Sequence, residues 1–274
     1  MFDTHCHLNF SRFKKNVKEV VENAARAGIV HILVPGTDLS TSQRAVKIAH
    51  DFENIYAAVG IHPHHAVEFS YQLLGIRYQE EMKQIETLLQ DEKVVAIGEV
   101  GLDRHVYTNT KYENNVINKD VMRVQKDLLI EQLRLAKKYN KSVILHNREA
   151  KRDILDVLTN NYSLITDNSL VFHCCEADQE LLSFAQEHNI FIGVDGDVTY
   201  DVKKQNFVKL VPLDLLVLET DSPYLLPEPF RSKRMFPNEP KNIPLIAQCI
   251  SELKKTSIKH LIKVTTENAK KLFL

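Results

Sequence analysis

Phe2-Asp3-Thr4-His5-Cys6-His7 opens the chain with a short apolar start that runs into two histidines spaced two apart. Side chains along a strand repeat every two residues, so His5 and His7 leave one face while Cys6 points the other way, into the core. Two imidazoles on one face at the mouth of a strand can close on a single divalent cation. A lone histidine is more often a hydrogen-bonded structural residue, so the pair gains meaning only if the rest of the chain repeats the pattern.

It does. Further short runs rich in Val, Ile and Leu follow at Ile29 to Val34, Ile55 to Gly60, Val94 to Gly98, Val143 to His146, Leu170 to His173, Ile190 to Val194 and Leu215 to Thr220. Such runs suit strands covered on both faces. Helical periodicity lies between them. Val17, Val20, Val21, Ala24 and Ala25 follow the spacing of one helix face, with Gly28 as a stop, and Ser40 with Gln43 reads as a capping box for the next helix. Further helices are expected over 79–89, 121–138, 152–158, 178–188 and 202–208. The alternation predicts the α/β class and a single (β/α)8 TIM-type barrel domain over residues 1–274, with an open doubly wound sheet as the alternative. Two stretches interrupt it: a polar loop over 104–120, and a proline-rich segment over 223–244 expected to be an ordered-to-mobile surface loop.

In a barrel, chemistry collects at the C-terminal strand ends. Here those ends read His5 and His7, then Gly60-Ile61-His62-Pro63-His64, Gly98-Glu99-Val100-Gly101-Leu102-Asp103, Leu145-His146-Asn147-Arg148, Phe172-His173 and Glu219-Thr220-Asp221-Ser222-Pro223. Four imidazoles and two carboxylates suit two divalent metal ions. His5, His7 and Asp221 are expected at one, His146 and His173 at the other, with Glu99 bridging. Mixed nitrogen and oxygen donors put Zn or Mn ahead of Mg. His64, His65 and His105 read as loop surface, and His31 as core or barrel lining.

Composition narrows the functional classes. The chain has 274 residues, 44% hydrophobic and 26% charged, with a net charge of −1, which excludes a broad basic nucleic-acid footprint and leaves room for a local one. No apolar stretch approaches the ~20 residues of a membrane span, and no secretory signal is visible. The four cysteines lack CxxC spacing. A reduced, cytoplasmic protein with no membrane partner is therefore expected.

The sequence resembles the TatD family of metal-dependent deoxyribonucleases, within the amidohydrolase-like barrels. The likeness rests on the strand-end motifs above, in order, and on Asn268-Ala269-Lys270-Lys271-Leu272-Phe273, similar to that family's closing helix. It implies metal ligation by His5, His7, Glu99, His146, His173 and Asp221, and hydrolysis of DNA phosphodiesters, with an exonuclease acting on single-stranded or frayed ends expected. Two ions ~3.5–4 Å apart would bring a shared water's pKa toward ~7, giving a metal-bridged hydroxide, with Asp221 as proton acceptor. Arg148 is expected to contact phosphate, His62 to contact phosphate or protonate the leaving group, and Asp103 to orient a ligand histidine. Arg231, Lys233, Arg234 and Lys241 form a basic cluster suited to the nucleic-acid backbone. The chain departs from the family pattern in its long 104–120 loop, in Cys174-Cys175-Glu176-Ala177 after His173, and in an extra Met235-Phe236-Pro237. The alternative is a barrel hydrolase of a small amide, lactone or phosphotriester. Many of those bridge their metals through a carbamylated lysine, whereas Glu99 stands at that position and Lys93 lies at the other end of the strand. A non-enzymatic scaffold predicts degraded ligands, and none is missing.

Overall fold

The computed structural model describes residues 1–66, 76–108, 116–165 and 169–274. Eight strands form one sheet in sequential order, every neighbouring pair parallel: β1 (Phe2–Asp3), β2 (His31–Pro35), β3 (Ile55–Val59), β4 (Val94–Asp103), β5 (Ser142–Arg148), β6 (Leu170–Phe172), β7 (Phe191–Val194) and β8 (Leu216–Leu218). Parallel neighbours need a crossover, and helices supply it: α1 (Val17–Arg26), α2 (Leu39–Asp51), α3 (Ile76–Leu88), α4 (Lys119–Tyr139), α5 (Lys151–Asn160), α6 (Gln179–Glu187) and α7 (Val202–Leu210). Two more, α8 (Ile243–Leu253) and α9 (Ile258–Phe273), follow β8. The ring closes between the last and first strands. Thr4 donates its N–H to the Leu218 carbonyl (3.0 Å), Asp221 to that of His5 (2.9 Å) and His7 to that of Ser222 (2.8 Å). The buried Asp3 carboxylate accepts the Thr220 N–H and hydroxyl across the same seam. The fold is the expected TIM-type (β/α)8 barrel.

Alternation along the strands builds two cores. Phe2, Leu33, Ala58, Ala96, Ile144, Val171, Phe191 and Val217, one from each strand, pack together inside the ring, and Leu272 and Phe273 of α9 join them. Residues one position away, such as Ile32, Val34, Val143, Leu145, Leu216 and Leu218, belong to the larger apolar cluster shared with the helices. Both faces are buried, which is why these strands read as continuous apolar runs.

The inner set also aims the polar residues. Two positions beyond Ile144, Val171 and Val217 come His146, His173 and Glu219, and Asp221 is two further on. β4 needs an extra device, because Ala96 faces inward and strict alternation would turn Glu99 outward. A register shift between Ile97 and Val100 changes the parity. Gly101 then lies against β5 so closely, at φ +152°, that a Cβ would sit 1.9 Å from the His146 carbonyl oxygen.

Several expectations are corrected. β1 ends at Asp3, so His5 and His7 lie in the segment that follows, fixed by the closing seam rather than by a long strand. The capping box of α2 is Asp38 with Thr41, not Ser40 with Gln43. Asp38 is extended and accepts the Thr41 N–H at 2.7 Å while Thr41 Oγ1 receives the Asp38 N–H, leaving Ser40 inside the first turn. The proline-rich segment is tied down: Asn238, fully buried, donates to the carbonyls of Thr220 (3.0 Å) and Leu225 (3.3 Å). Part of the loop expected over 104–120 lies outside the described residues, and its end is already helical, with Asn118 capping α4. His31 is half-buried at the start of β2 against the rings of Phe2 and Tyr56.

Candidate metal centre

The six expected ligands converge around Glu99, whose carboxylate is nearly buried in the barrel mouth. On one side, His5 Nε2 and His7 Nε2 are 3.1 Å apart. They lie 3.5 and 3.6 Å from Glu99 Oε2, and 3.8 and 3.5 Å from Asp221 Oδ1. Donors ~2.1 Å from a tetrahedral cation would stand roughly 3.4 Å from one another, so these spacings fit one ion. On the other side, Glu99 Oε1 is 2.8 Å from His146 Nδ1, 3.6 Å from His173 Nε2 and 3.4 Å from His62 Nε2.

Hydrogen-bond partners fix which nitrogen of His7, His146 and His173 is turned outward and which faces the centre. His7 Nδ1–H donates to the Pro35 carbonyl (3.3 Å), His173 Nδ1–H to Glu219 Oε1 (3.1 Å) and His146 Nε2–H to Asp103 Oδ2 (3.0 Å). Carbonyls and carboxylates only accept, so each of these outer nitrogens carries a proton, and the inner one is the nitrogen that would offer its lone pair to a metal ion. His5 Nδ1 has no partner among the described residues, and its Nε2 lies 3.1 Å from His7 Nε2, 3.5 Å from Glu99 Oε2 and 3.8 Å from Asp221 Oδ1, a ring of nitrogen and oxygen donors of the kind that divalent cations take. The donor set therefore fits divalent metal. His62 differs: its Nδ1 accepts the His64 N–H (3.1 Å), so Nε2 carries the proton and points toward Glu99 as a donor.

Electrostatics agree. Burial drives His5 well below the usual imidazole range, with the charge on His173 adding to it. Burial, helped by the neighbouring rings of His146 and His64, lowers His62 to about 3 against the pull of Glu99. Burial also opposes charge on His146, but its hydrogen bonds to Asp103 and Glu99 outweigh it and raise that ring to about 9. His173 is likewise raised to about 10 against burial, by Glu219. Glu99 itself is held well below the carboxylate range; burial resists this, and the surrounding imidazoles override it.

Arg148 reaches the rim of the mouth, exposed, its guanidinium 5.0 Å over the Tyr107 ring and bonded to the Tyr107 hydroxyl at 3.1 Å. Lys93 lies at the far end of β4, donating to the Glu53 carbonyl at 2.8 Å, well away from the bridging position. The surface reading of the neighbouring histidines is corrected. His64 donates to Asp103 Oδ2 at 2.9 Å and His65 is buried near Asp38, because the turn after Ile61 folds back over the mouth. His105 is partly exposed and paired with Glu149 at 2.6 Å. Glu219 was not singled out from the sequence for a role, yet it is fully buried and also accepts the Cys174 N–H at 2.6 Å. Gly193 makes room for it, since a Cβ there would lie 2.6 Å from Glu219 Oε1. An acid two residues before an expected ligand, just past the end of β8, was the available signal.

A family model described as TatD related DNase matches residues 2–274. The chain is 35% identical over 275 residues to the uncharacterized metal-dependent hydrolase YabD of Bacillus subtilis (strain 168), covering 100% of this chain and 98% of that protein. It is 32% identical over 279 residues to the 3'-5' ssDNA/RNA exonuclease TatD of Escherichia coli (strain K12), again covering 100% and 98%. Among solved structures, the TatD homologue YjjV from Escherichia coli K12 aligns with a TM-score of 0.84 at 28% identity, over 100% of this chain and 97% of that one. With the barrel and its cluster of histidines and carboxylates, these likenesses establish that the chain belongs to the TatD family of metal-dependent hydrolases.

Proposed function

We propose that this hydrolase cleaves phosphodiester bonds of DNA from a single-stranded or frayed end, using two divalent cations. His5, His7 and Asp221 would hold one, His146 and His173 the other, and Glu99 would bridge them. The observation that carries the reading is Glu99, whose two oxygens face two separate sets of imidazoles. The printed activity of the Escherichia coli TatD relative supports the substrate class. When bound, such cations polarise a phosphoryl oxygen and make water a stronger acid.

The chain's own groups complete the chemistry. The Asp221 side chain is 15% exposed at the mouth, so its carboxylate can take the proton of the water that attacks phosphorus. The phosphorus–oxygen ester bond to the departing nucleotide breaks, and solvent protonates the leaving oxygen. Neutral His62 offers Nε2–H to a phosphoryl oxygen; at a pKa of about 3 it serves as a hydrogen-bond donor rather than as the acid. Arg148 presents a planar fork to the next phosphate from the rim.

The test uses metal-stripped protein supplied with Mg, Mn or Zn and offered labelled single-stranded DNA, blunt duplex DNA and a lactone panel. Metal-restored release of nucleotides from the single strand is the expected result. Lactone turnover with inert DNA would overturn the proposal.

A further inference from the structure

Two loops at the barrel mouth carry large aromatic side chains that the chemistry above does not use. The Phe10 ring stacks on His7, centroids 4.2 Å apart and planes at 10°. Tyr224 meets Phe10 edge-on at 6.4 Å, and the Arg12 guanidinium lies 4.9 Å over the ring of Phe236. A chain of ring contacts therefore leads outward from a candidate ligand, with the Arg12–Phe236 pair beside it on the same loops. Tyr224, Met235 and Phe236 are 49%, 54% and 52% exposed. Loose packing does not explain this, because buried Asn238, two residues beyond Phe236, pins the segment to the Thr220 carbonyl. Large apolar side chains held in solvent by a fixed loop mark a contact surface.

Charge identifies the partner. Arg12, Lys233 and Arg234 have no ion-pair partner among the described residues, and Arg231 lies 4.1 Å over the Tyr200 ring while meeting Glu228 at 3.4 Å. Lys241 is committed to Glu239 at 2.8 Å and adds nothing. On a chain of net charge −1, these cations belong to the two segments that carry the rings of Phe10, Tyr224 and Phe236. Flat aromatic faces among cations suit a chain of planar bases joined by phosphates, and suit an apolar protein surface poorly.

We infer that Phe236, with Tyr224 and Arg12, forms a stacking rim for the unpaired bases of a single-stranded nucleic acid whose terminal phosphodiester lies at the candidate metal centre. The inference rests on the proposed nuclease reading and extends it. Bases behind the cleaved bond lie on the rim, while the cations of the proline-rich segment hold the phosphates between them. A paired duplex presents no free base faces, so the rim selects frayed or single strands.

The test compares metal-loaded wild type with Phe236→Ala, Phe236→Trp and Arg12→Ala. Substrates are a mixed-sequence single strand and a strand of equal length with abasic residues behind the scissile bond. Base stacking of ordinary strength predicts that Phe236→Ala raises KM for the normal strand about tenfold, the loss falling on KM rather than kcat. Phe236→Trp restores it, and KM for the abasic strand does not move. Arg12→Ala weakens both strands. An unchanged KM for the normal strand, or equal losses on both, overturns the rim. If wild type cleaves neither strand, the nuclease reading fails and the rim is judged by fluorescence anisotropy of the labelled strand: weaker binding by Phe236→Ala upholds it, equal binding overturns it. A dimer that dissociates on Phe236→Ala would also overturn it, by showing a second copy on this surface.

Discussion

At the scale of single residues, the centre depends on groups that orient the ligands as much as on the ligands themselves. Glu219 holds the proton of His173 Nδ1 and so leaves Nε2 as the nitrogen that faces the centre. Glu219→Gln is expected to weaken metal affinity roughly 10- to 100-fold, the usual loss for such a partner, measured by chelator competition. Unchanged affinity would remove Glu219 from the site. Asp221 sits at φ 49°, a left-handed conformation that Asn tolerates as well as Asp does. Asp221→Asn should therefore keep the fold while kcat drops about 10²- to 10⁴-fold, and near-wild-type turnover would show that another group takes the proton. The ligand histidines and acids were legible in the sequence because they lie in or just beyond recognisable apolar strand runs. The roles of Glu219 and His64 were not, since the atoms they bond to belong to segments 39 to 46 residues away.

At the scale of elements, α7 is fastened to the turn after β7 by a buried charge. Lys204, 4% exposed, donates to the Cys175 carbonyl at 2.6 Å and stands 3.2 Å from Asp197 Oδ2. Lys204→Met strips the cation from beside Asp195 and Asp197, and a loss of about 3–5 kcal/mol is expected in denaturant unfolding. Burial first, and then Asp195, push the Asp197 carboxyl from 3.8 up to about 8. The folded state thus holds that proton more tightly than the unfolded chain does, and stability contributed through Asp197 falls as pH rises across this interval. Asp197→Asn should flatten the decline in a pH series of unfolding curves; an unaltered slope would refute the assignment. Strand runs and most helices were readable from periodicity to within a few residues, as α7 illustrates: 202–208 was expected and Val202–Leu210 is found. The parity change in β4 and the Asp38 cap were not readable. One arises from how β4 registers on β5, and the other from a choice between two plausible caps that only the backbone at Asp38 decides.

At the scale of the molecule, closure of the ring and assembly of the centre are the same event, because the seam bonds run through His5, His7 and Asp221. Metal at 100 times its Kd should therefore raise unfolding free energy by about 2.7 kcal/mol for one site, read as a chelator-sensitive melting temperature. Equal melting with and without chelator would mean that the donors hold no ion. The seam also sets a schedule for biosynthesis. His5 and His7 are among the first residues of this sequence to be made, yet the residues they must meet, Asp221 and Ser222, come more than 200 positions later. At ribosomal speeds of ~5–20 residues per second, the pair waits roughly 10–40 s without its counterpart. Cofactor acquisition would thereby be deferred until Asp221 and Ser222 have been made, and a truncated product ending before β8 would carry the histidines but no competent centre.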